Sequence, residues 1–235
     1  MASHVEALIF DCDGTLVDTE TPYRQSLNEI LAQLSGGVAP EIGPERWGAE
    51  FSGTGVQRCA ERGAGLCGEE VTAEAFLEAW LARFAELIAV PGSVPLLPGF
   101  DELYAHARSR GLRVAVASSS DGAGLQLKLR NGVVAHSTTL TAVDGPGGFD
   151  AVTSNDDVTK HKPDPEIYLV TAKRLGVTPE HCWVVEDTTT GVAAGKNAGM
   201  RVAAVPNLFT KGNDFSRADV MLESMAEVIP LLGGS

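Results

Sequence analysis

The 235-residue sequence predicts an α/β fold, a parallel sheet covered by helices on both faces, with an all-helical segment inserted after the first strand. Three observations predict it. Short apolar runs alternate with amphipathic helical segments from Gly99 onward. The stretch from about Thr19 to Pro95 keeps helical spacing and shows no strand pattern. Polar, chemically able side chains stand directly after several apolar runs, where ligands sit in open parallel sheets.

The elements follow in order. Val5-Glu-Ala-Leu-Ile-Phe10 reads as a buried strand and runs straight into Asp-Cys-Asp-Gly-Thr. In the helical segment, Tyr23, Leu27, Ile30, Leu31 and Leu34 recur at helical spacing, as do Phe76, Leu77, Trp80, Leu81, Phe84, Leu87 and Ile88. Trp47, Trp80 and Phe84 are expected in the core. Asp101–Arg110 reads as a helix closed by Gly111, and Arg113–Ser118 as a strand. A helix over Ser120–Leu129 and a weak strand over Asp150–Thr153 come next, joined through a Gly-Pro-Gly-Gly cluster that reads as a loose connection, either a surface loop or a rim element. The remaining elements are a helix at Asp164–Leu175, a strand at Cys182–Glu186, a helix at Gly191–Ala198 and a strand at Arg201–Val205. An edge strand at Asp219–Leu222 and a short helix at Ser224–Leu231 end the pattern.

Composition narrows the partners. The net charge is −13, from 18 basic and 31 acidic side chains. Such a surface disfavours nucleic acid and anionic membranes, and it also repels an anionic small molecule unless a metal or local cation reverses the field. No run of 18 apolar residues and no leader-like apolar segment is present, so no membrane association is expected. The cysteines at 12, 59, 67 and 182 lack metal-site or disulfide-framework spacing, and Cys12 and Cys182 lie in apolar runs, as buried free thiols would. A monomer in the reducing cytoplasm is the expectation.

Four polar groups carry the chemistry. Asp11 and Asp13 follow the first strand, with Gly14 supplying the turn that lets both face one site. One ionised carboxylate of such a pair can attack phosphorus while the other handles a proton. Glu186 and Asp187, adjacent at a strand end, would repel each other unless paired, and an all-oxygen site suits Mg²⁺. Lys162, before Pro163, offers a fixed positive charge near the carboxylates, with Lys160 the competing candidate. Ser118 ends a strand and can donate its hydroxyl to phosphoryl oxygens, while Ser119 and Ser120 read as donors at a helix start. Ser52, Gly53 and Thr54 form a polar turn in the helical segment, either facing a substrate or simply joining two helices. No P-loop, GxGxxG or zinc-like histidine grouping occurs.

FDCDGTLVDTE at 10–20, VASSS at 116–120, KHKPDPEIY at 160–168 and VVEDTTTGVAAGKNAGM at 184–200 together resemble the haloacid dehalogenase-like superfamily. The helical insert and PNLFTKGNDFSRAD at 206–219 resemble its beta-phosphoglucomutase and CbbY-like branch. The resemblance implies a Rossmann-like core from 1–18 and 96–235 and a four-helix cap from 19–95. It implies a magnesium-dependent phosphatase acting on a small phosphorylated metabolite, a sugar or polyol phosphate. Asp11 would form an aspartyl-phosphate, and Asp13 would be the general acid/base and lend its backbone carbonyl to Mg²⁺. Asp11 and Asp187 would ligate the metal, with Glu186 ligating directly or through water. Ser118, Ser119 and Lys162 would hold the phosphoryl group, and Thr19 and Glu20 would lie near the cap hinge. Tyr23 stands where beta-phosphoglucomutases carry a histidine, and residues 21–95 contain no lysine, which disfavours both a mutase and a Schiff-base phosphonatase. A catalytically silent interaction protein on the same scaffold is the alternative of another class.

Overall fold

The computed structural model describes residues 4–52 and 54–233. Strand β1 (Ala7–Phe10) lies at the middle of a sheet, and all four of its residues are fully buried. A strand covered on both faces needs this continuous apolar run rather than alternation. β1 pairs in parallel with β2 (Arg113–Ala117) on one side and β4 (Cys182–Glu186) on the other. β3 (Ala151–Thr153) extends the first side, and β5 (Arg201–Ala204) and β6 (Val220–Met221) extend the second. Among the described residues the sheet therefore runs β3-β2-β1-β4-β5-β6, all parallel, as the alternation of short strands and helices predicts. The strand order reverses direction at β1, and the crevice beyond its carboxyl end is where such sheets bind ligands.

Register brings the strand ends together. Phe10 lies opposite Val116 and Val185, so Asp11 leaves the sheet level with Ala117 and Glu186. One face of the sheet packs Ala7, Ile9, Ala115 and Val184 against helices α7 (Glu166–Leu175) and α8 (Thr189–Asn197) through Ile167, Tyr168, Ala172 and Val192. On the other face Phe10 meets Phe100 of α5 (Phe100–Ser109) edge-on, with ring centroids 5.7 Å apart. Each such buried aromatic contributes about 1.5–3 kcal/mol relative to exposure. Gly195 of α8 lets the helix approach β5, since a Cβ there would stand 2.7 Å from Val202.

The chain divides into two compact units, one holding the described residues up to Asp18 and from Val94 onward, the other Thr19–Ser93. The second unit contains helices α1 (Glu20–Leu34), α2 (Pro44–Glu50), α3 (Val56–Cys67) and α4 (Ala73–Ile88). In α4 the buried positions are Phe76, Trp80, Phe84 and Ile88, about one per turn, all within the apolar set that recurs at helical spacing. Trp80 donates its indole N–H to the Tyr23 carbonyl and the Ser26 hydroxyl, each at 3.0 Å, which satisfies its polar atom inside the bundle. Thr72 caps α4 by accepting from the Ala75 amide.

Two expectations are corrected. The helix read over Ser120–Leu129 is α6 (Gly122–Lys128), and its N-cap is Asp121, which accepts from the Gly124 amide at 2.8 Å; Ser119 and Ser120 do not cap it. A π-helical segment, Leu129–Val134, follows α6 directly. The glycine cluster is not a loose connection. Its backbone closes on itself through Thr141 N–H to Gly147 O and Phe149 N–H to Val143 O, both 3.0 Å, and the Gly148 carbonyl accepts from the buried Tyr104 hydroxyl. A Cβ at Gly148 would come within 2.7 Å of backbone atoms, so the turn is tight enough to require glycine.

Candidate active site

Asp11, Ser118 and Asp187 each follow the last residue of a sheet strand, and their side chains share the carboxyl edge of the sheet with Glu186. All four are buried. Lys162 reaches the same point from the loop before α7. Its ammonium lies 2.6 Å from Asp11 Oδ1 and 2.7 Å from Glu186 Oε1, and also donates to the Ala117 carbonyl. Its side chain is only 6% exposed, whereas that of Lys160 is 70% exposed, so Lys162 rather than Lys160 is the site cation.

Glu186 is saturated with donors. Lys162 and the Tyr168 hydroxyl donate to Oε1, and the Asp187 amide, Thr188 amide and Thr188 hydroxyl donate to Oε2. Gly191 makes room for this carboxylate, because a Cβ there would stand 1.6 Å from Oε1. Asp187 is held differently, by the Thr15 hydroxyl at 3.2 Å on Oδ1 and the Asn207 amide at 2.8 Å on Oδ2. Gly14, at φ 81°, turns the chain beneath it; a Cβ there would meet Asp187 Oδ2 at 2.4 Å.

The electrostatics follow from this packing. Burial raises the Asp11 carboxyl to about 7; Lys162 pulls it down, while the charges of Glu186 and Asp13 push it up. Burial, then the charges of Glu186 and Asp11, hold Asp187 well above the usual carboxylate range. For Glu186 burial acts upward too, but the charge and hydrogen bond of Lys162, with Thr188 and Tyr168, outweigh it and leave the group below its ordinary value. Burial alone would lower Lys162, yet Asp11 and Glu186 keep it firmly charged. One carboxylate oxygen from each of Asp11, Glu186 and Asp187 lies within 4.8 Å of the others. Two of these three buried acids resist ionisation in the metal-free protein, so the cluster is short of positive charge. That deficit and the all-oxygen donor set fit a hard divalent cation.

Asp13 sits beside this cluster, its side chain 30% exposed. Its Oδ2 accepts from the Ser118 hydroxyl at 3.2 Å and the Ser120 hydroxyl at 2.8 Å, and its Oδ1 from Lys128 at 2.5 Å. Ser119 is exposed on the same loop. Lys128, Thr15, Tyr168 and Asn207 are site residues that the sequence reading did not identify. For Lys128 a signal existed, since it lies on the same helical stripe as Leu125 and Leu129, both buried.

The remaining candidates lie in the helical unit. Thr19 is buried at the start of α1, and Glu20 accepts from the Trp47 indole at 2.5 Å. The Tyr23 ring stacks on Phe84 with centroids 3.7 Å apart. Thr54 donates to the Phe51 carbonyl and Ser52 binds the Trp47 carbonyl through its amide, so both take part in the turn after α2. Gly53 lies outside the described residues.

Residues 5–199 match the family model described as haloacid dehalogenase-like hydrolase. The chain is 34% identical over 218 residues to protein CbbY of Rhodobacter capsulatus, covering 92% of this chain and 91% of that protein. Among solved structures it is similar to CbbY from Rhodobacter sphaeroides in complex with phosphate, with TM-score 0.72, 30% identity and coverage of 95% and 96% of the two chains. A mutant of that CbbY in complex with xylulose-(1,5)bisphosphate matches with TM-score 0.72, 29% identity and the same coverage. The chain belongs to the haloacid dehalogenase-like hydrolases, in their CbbY-like branch. Within that family it is a phosphatase-type enzyme whose buried acidic cluster suits phosphoaspartate chemistry. No helix among the described residues is long and apolar enough to cross a membrane.

Proposed function

We propose that this protein is a magnesium-dependent phosphatase of a small phosphorylated metabolite, a sugar or polyol phosphate, acting through an aspartyl-phosphate on Asp11. The observation that carries this reading is the Lys162 ammonium, buried between Asp11 and Glu186 at the carboxyl edge of the sheet. It sets a permanent positive charge beside a carboxylate that leads directly out of the central strand. Similarity to a CbbY crystallised with a sugar bisphosphate supports a phosphorylated sugar as substrate.

In this reading Lys162 and Ser118 orient the phosphoryl group against Asp11. A carboxylate oxygen of Asp11 bonds to phosphorus as the bond to the leaving oxygen breaks, and Asp13 gives that oxygen its proton. Water then bonds to phosphorus, its proton returns to Asp13, and the bond from Asp11 breaks to release phosphate. Mg²⁺, held by Asp11, Asp187 and the Asp13 carbonyl, would neutralise the carboxylates and polarise a phosphoryl oxygen. Glu186 anchors Lys162, Tyr168 and the turn into α8, and supports the metal from there.

Hydrolysis is favoured over phosphomutase chemistry because the sequence has no lysine before Lys128, so the helical unit offers none to hold a second phosphate. Its arginines are partly engaged: Arg83 pairs with Glu29 and Glu86, and Arg46 with Glu50. The test is phosphate release from a panel of sugar, polyol and acid phosphates, with and without Mg²⁺, beside Asp11→Asn. Metal-dependent release abolished in Asp11→Asn is expected; release that survives it would overturn the reading.

A further inference from the structure

We propose that Lys128 is a positioning residue for the proton-transfer step, holding the Asp13 carboxylate in its working orientation together with Ser120. The inference rests on the aspartyl-phosphate reading above and adds to it a residue outside the strand-end motifs. Lys128 is the last residue of α6, and its side chain is 4% exposed. A lysine is rarely buried to this extent unless its charge is paired. Its ammonium stands 2.5 Å from Asp13 Oδ1 and 2.7 Å from the Ser120 hydroxyl.

Proton bookkeeping makes the arrangement directional. The Ser120 hydroxyl has one proton, which it donates to Asp13 Oδ2 at 2.8 Å, so it accepts from Lys128. Lys128 therefore grips one carboxylate oxygen itself and the other through Ser120. Ser118 also donates its single proton to Asp13 Oδ2, at 3.2 Å. A phosphoryl group that claims the Ser118 proton withdraws that third bond. Lys128 and Ser120 then keep the Asp13 side chain from swinging away when it must reach the leaving oxygen and afterwards the water.

The backbone around Lys128 is built to bury it. Leu125, Lys128 and Leu129 occupy one helical stripe, and all three are buried. The π-helical turn Leu129–Val134 that follows lies close against the segment that leaves β1, since a Cβ at Gly132 would stand 2.8 Å from Val17. Widened turns of this kind recur at functional sites.

The experiment compares two leaving groups in Lys128→Met and Ser120→Ala. p-Nitrophenolate leaves without a proton, so phosphorylation of Asp11 by p-nitrophenyl phosphate does not need Asp13, whereas the water step does. A sugar phosphate cleaved by the wild type needs Asp13 in both steps. The expected result for Lys128→Met is a burst of about one equivalent of nitrophenolate, then turnover roughly 10- to 100-fold below wild type. With the sugar phosphate no burst should appear, kcat should fall by a similar factor and KM should hold. Ser120→Ala should show the same signature more weakly, and it decides alone if Lys128→Met does not fold. Because Asp13 is 30% exposed, water can solvate it once Lys128 is gone. Wild-type kcat in the folded variants, a loss confined to KM, or a loss without a burst would overturn the proposal. Hydrolysis persisting in Asp11→Asn would overturn the aspartyl-phosphate reading and this proposal with it. A silent Asp11→Asn beside a normal Lys128→Met overturns this proposal alone.

Discussion

Lys162 donates to Glu186 across 2.7 Å at a point where both side chains are almost completely shielded from water. The same ammonium holds Asp11 at 2.6 Å, so one cation serves two buried carboxylates. Removing one partner of such a buried cluster leaves an uncompensated charge, a loss of about 3–5 kcal/mol. Lys162→Met is therefore expected to lose turnover and to destabilise the metal-free protein by about 3 kcal/mol at pH 8, read by urea unfolding. Added Mg²⁺ should restore part of the stability and none of the activity. A stability loss below about 0.5 kcal/mol would show that the pair contributes far less than its burial implies.

Metal uptake should depend on pH in a defined direction. Burial, opposed by Lys162 and reinforced by Glu186 and Asp13, raises Asp11 from 3.8 to about 7. A carboxyl raised on folding contributes stability in its protonated form, present below pH 3.8 and lost as pH rises through about 7. Mg²⁺ requires the ionised form, so binding below pH 7 displaces at least one proton. Affinity should climb by about tenfold or more per pH unit between pH 5 and 7, and more steeply where Asp187 must also give up a proton. Titration calorimetry in buffers of different ionisation enthalpy counts the protons directly. Affinity independent of pH across that range would mean that Asp11 is ionised before the metal arrives.

The two glycines that seat the acids should fail in different ways. Alanine at Gly14 combines a φ of 81° with a Cβ 2.4 Å from Asp187, so Gly14→Ala should displace a metal ligand. Alanine at Gly191 would strike Glu186 at 1.6 Å and disturb the Lys162 anchor instead. Mn²⁺ titration followed by electron paramagnetic resonance should show metal affinity falling roughly 10- to 100-fold in Gly14→Ala. Gly191→Ala should lose turnover with a smaller change in metal affinity. Equal metal loss in both would place Glu186 in the direct ligand set.

What the sequence reveals of this site depends on where each residue hangs. Asp11, Ser118, Glu186 and Asp187 end or follow apolar strands, and parallel pairing brings strand ends to one edge whatever the details of packing. Their meeting is legible from the strands alone. Lys128, Thr15, Tyr168 and Asn207 reach the site through tertiary packing of a helix, a turn, a second helix and a closing loop. A single lysine in a helix reads as a solvated side chain unless its stripe partners are known to be buried. The cap of the helix that follows Ser118 is misread for a related reason: Ser120 favours a cap by residue type, but its hydroxyl is taken by Asp13 and Asp121 caps instead. The tight turn at Gly148 is hidden because a glycine cluster looks the same whether its backbone is open or closed.

Away from the site, Arg174 of α7 ties down the three-residue edge strand β3. Its guanidinium donates to the Val152 carbonyl at 2.8 Å and to Asp157 Oδ1 at 2.5 Å. The hydrogen bond from Arg174 is the largest influence that lowers the Asp157 carboxyl to about 2, with the Ser154 amide assisting against partial burial. A depressed carboxyl stabilises the fold above its unfolded value of 3.8, and the contribution is lost as pH falls through about 2. Both side chains are substantially wet, at 39% and 29% exposure, so screening reduces the ion pair to a fraction of what the shift alone implies. Arg174→Ala should cost about 1 kcal/mol at pH 7, most of it from the lost bond to the strand carbonyl. The loss should therefore persist in 1 M salt, where an exposed ion pair would be screened. Unfolding of Arg174→Ala at low and high salt separates the two terms, and a loss that vanishes in salt would assign the stabilisation to charge alone.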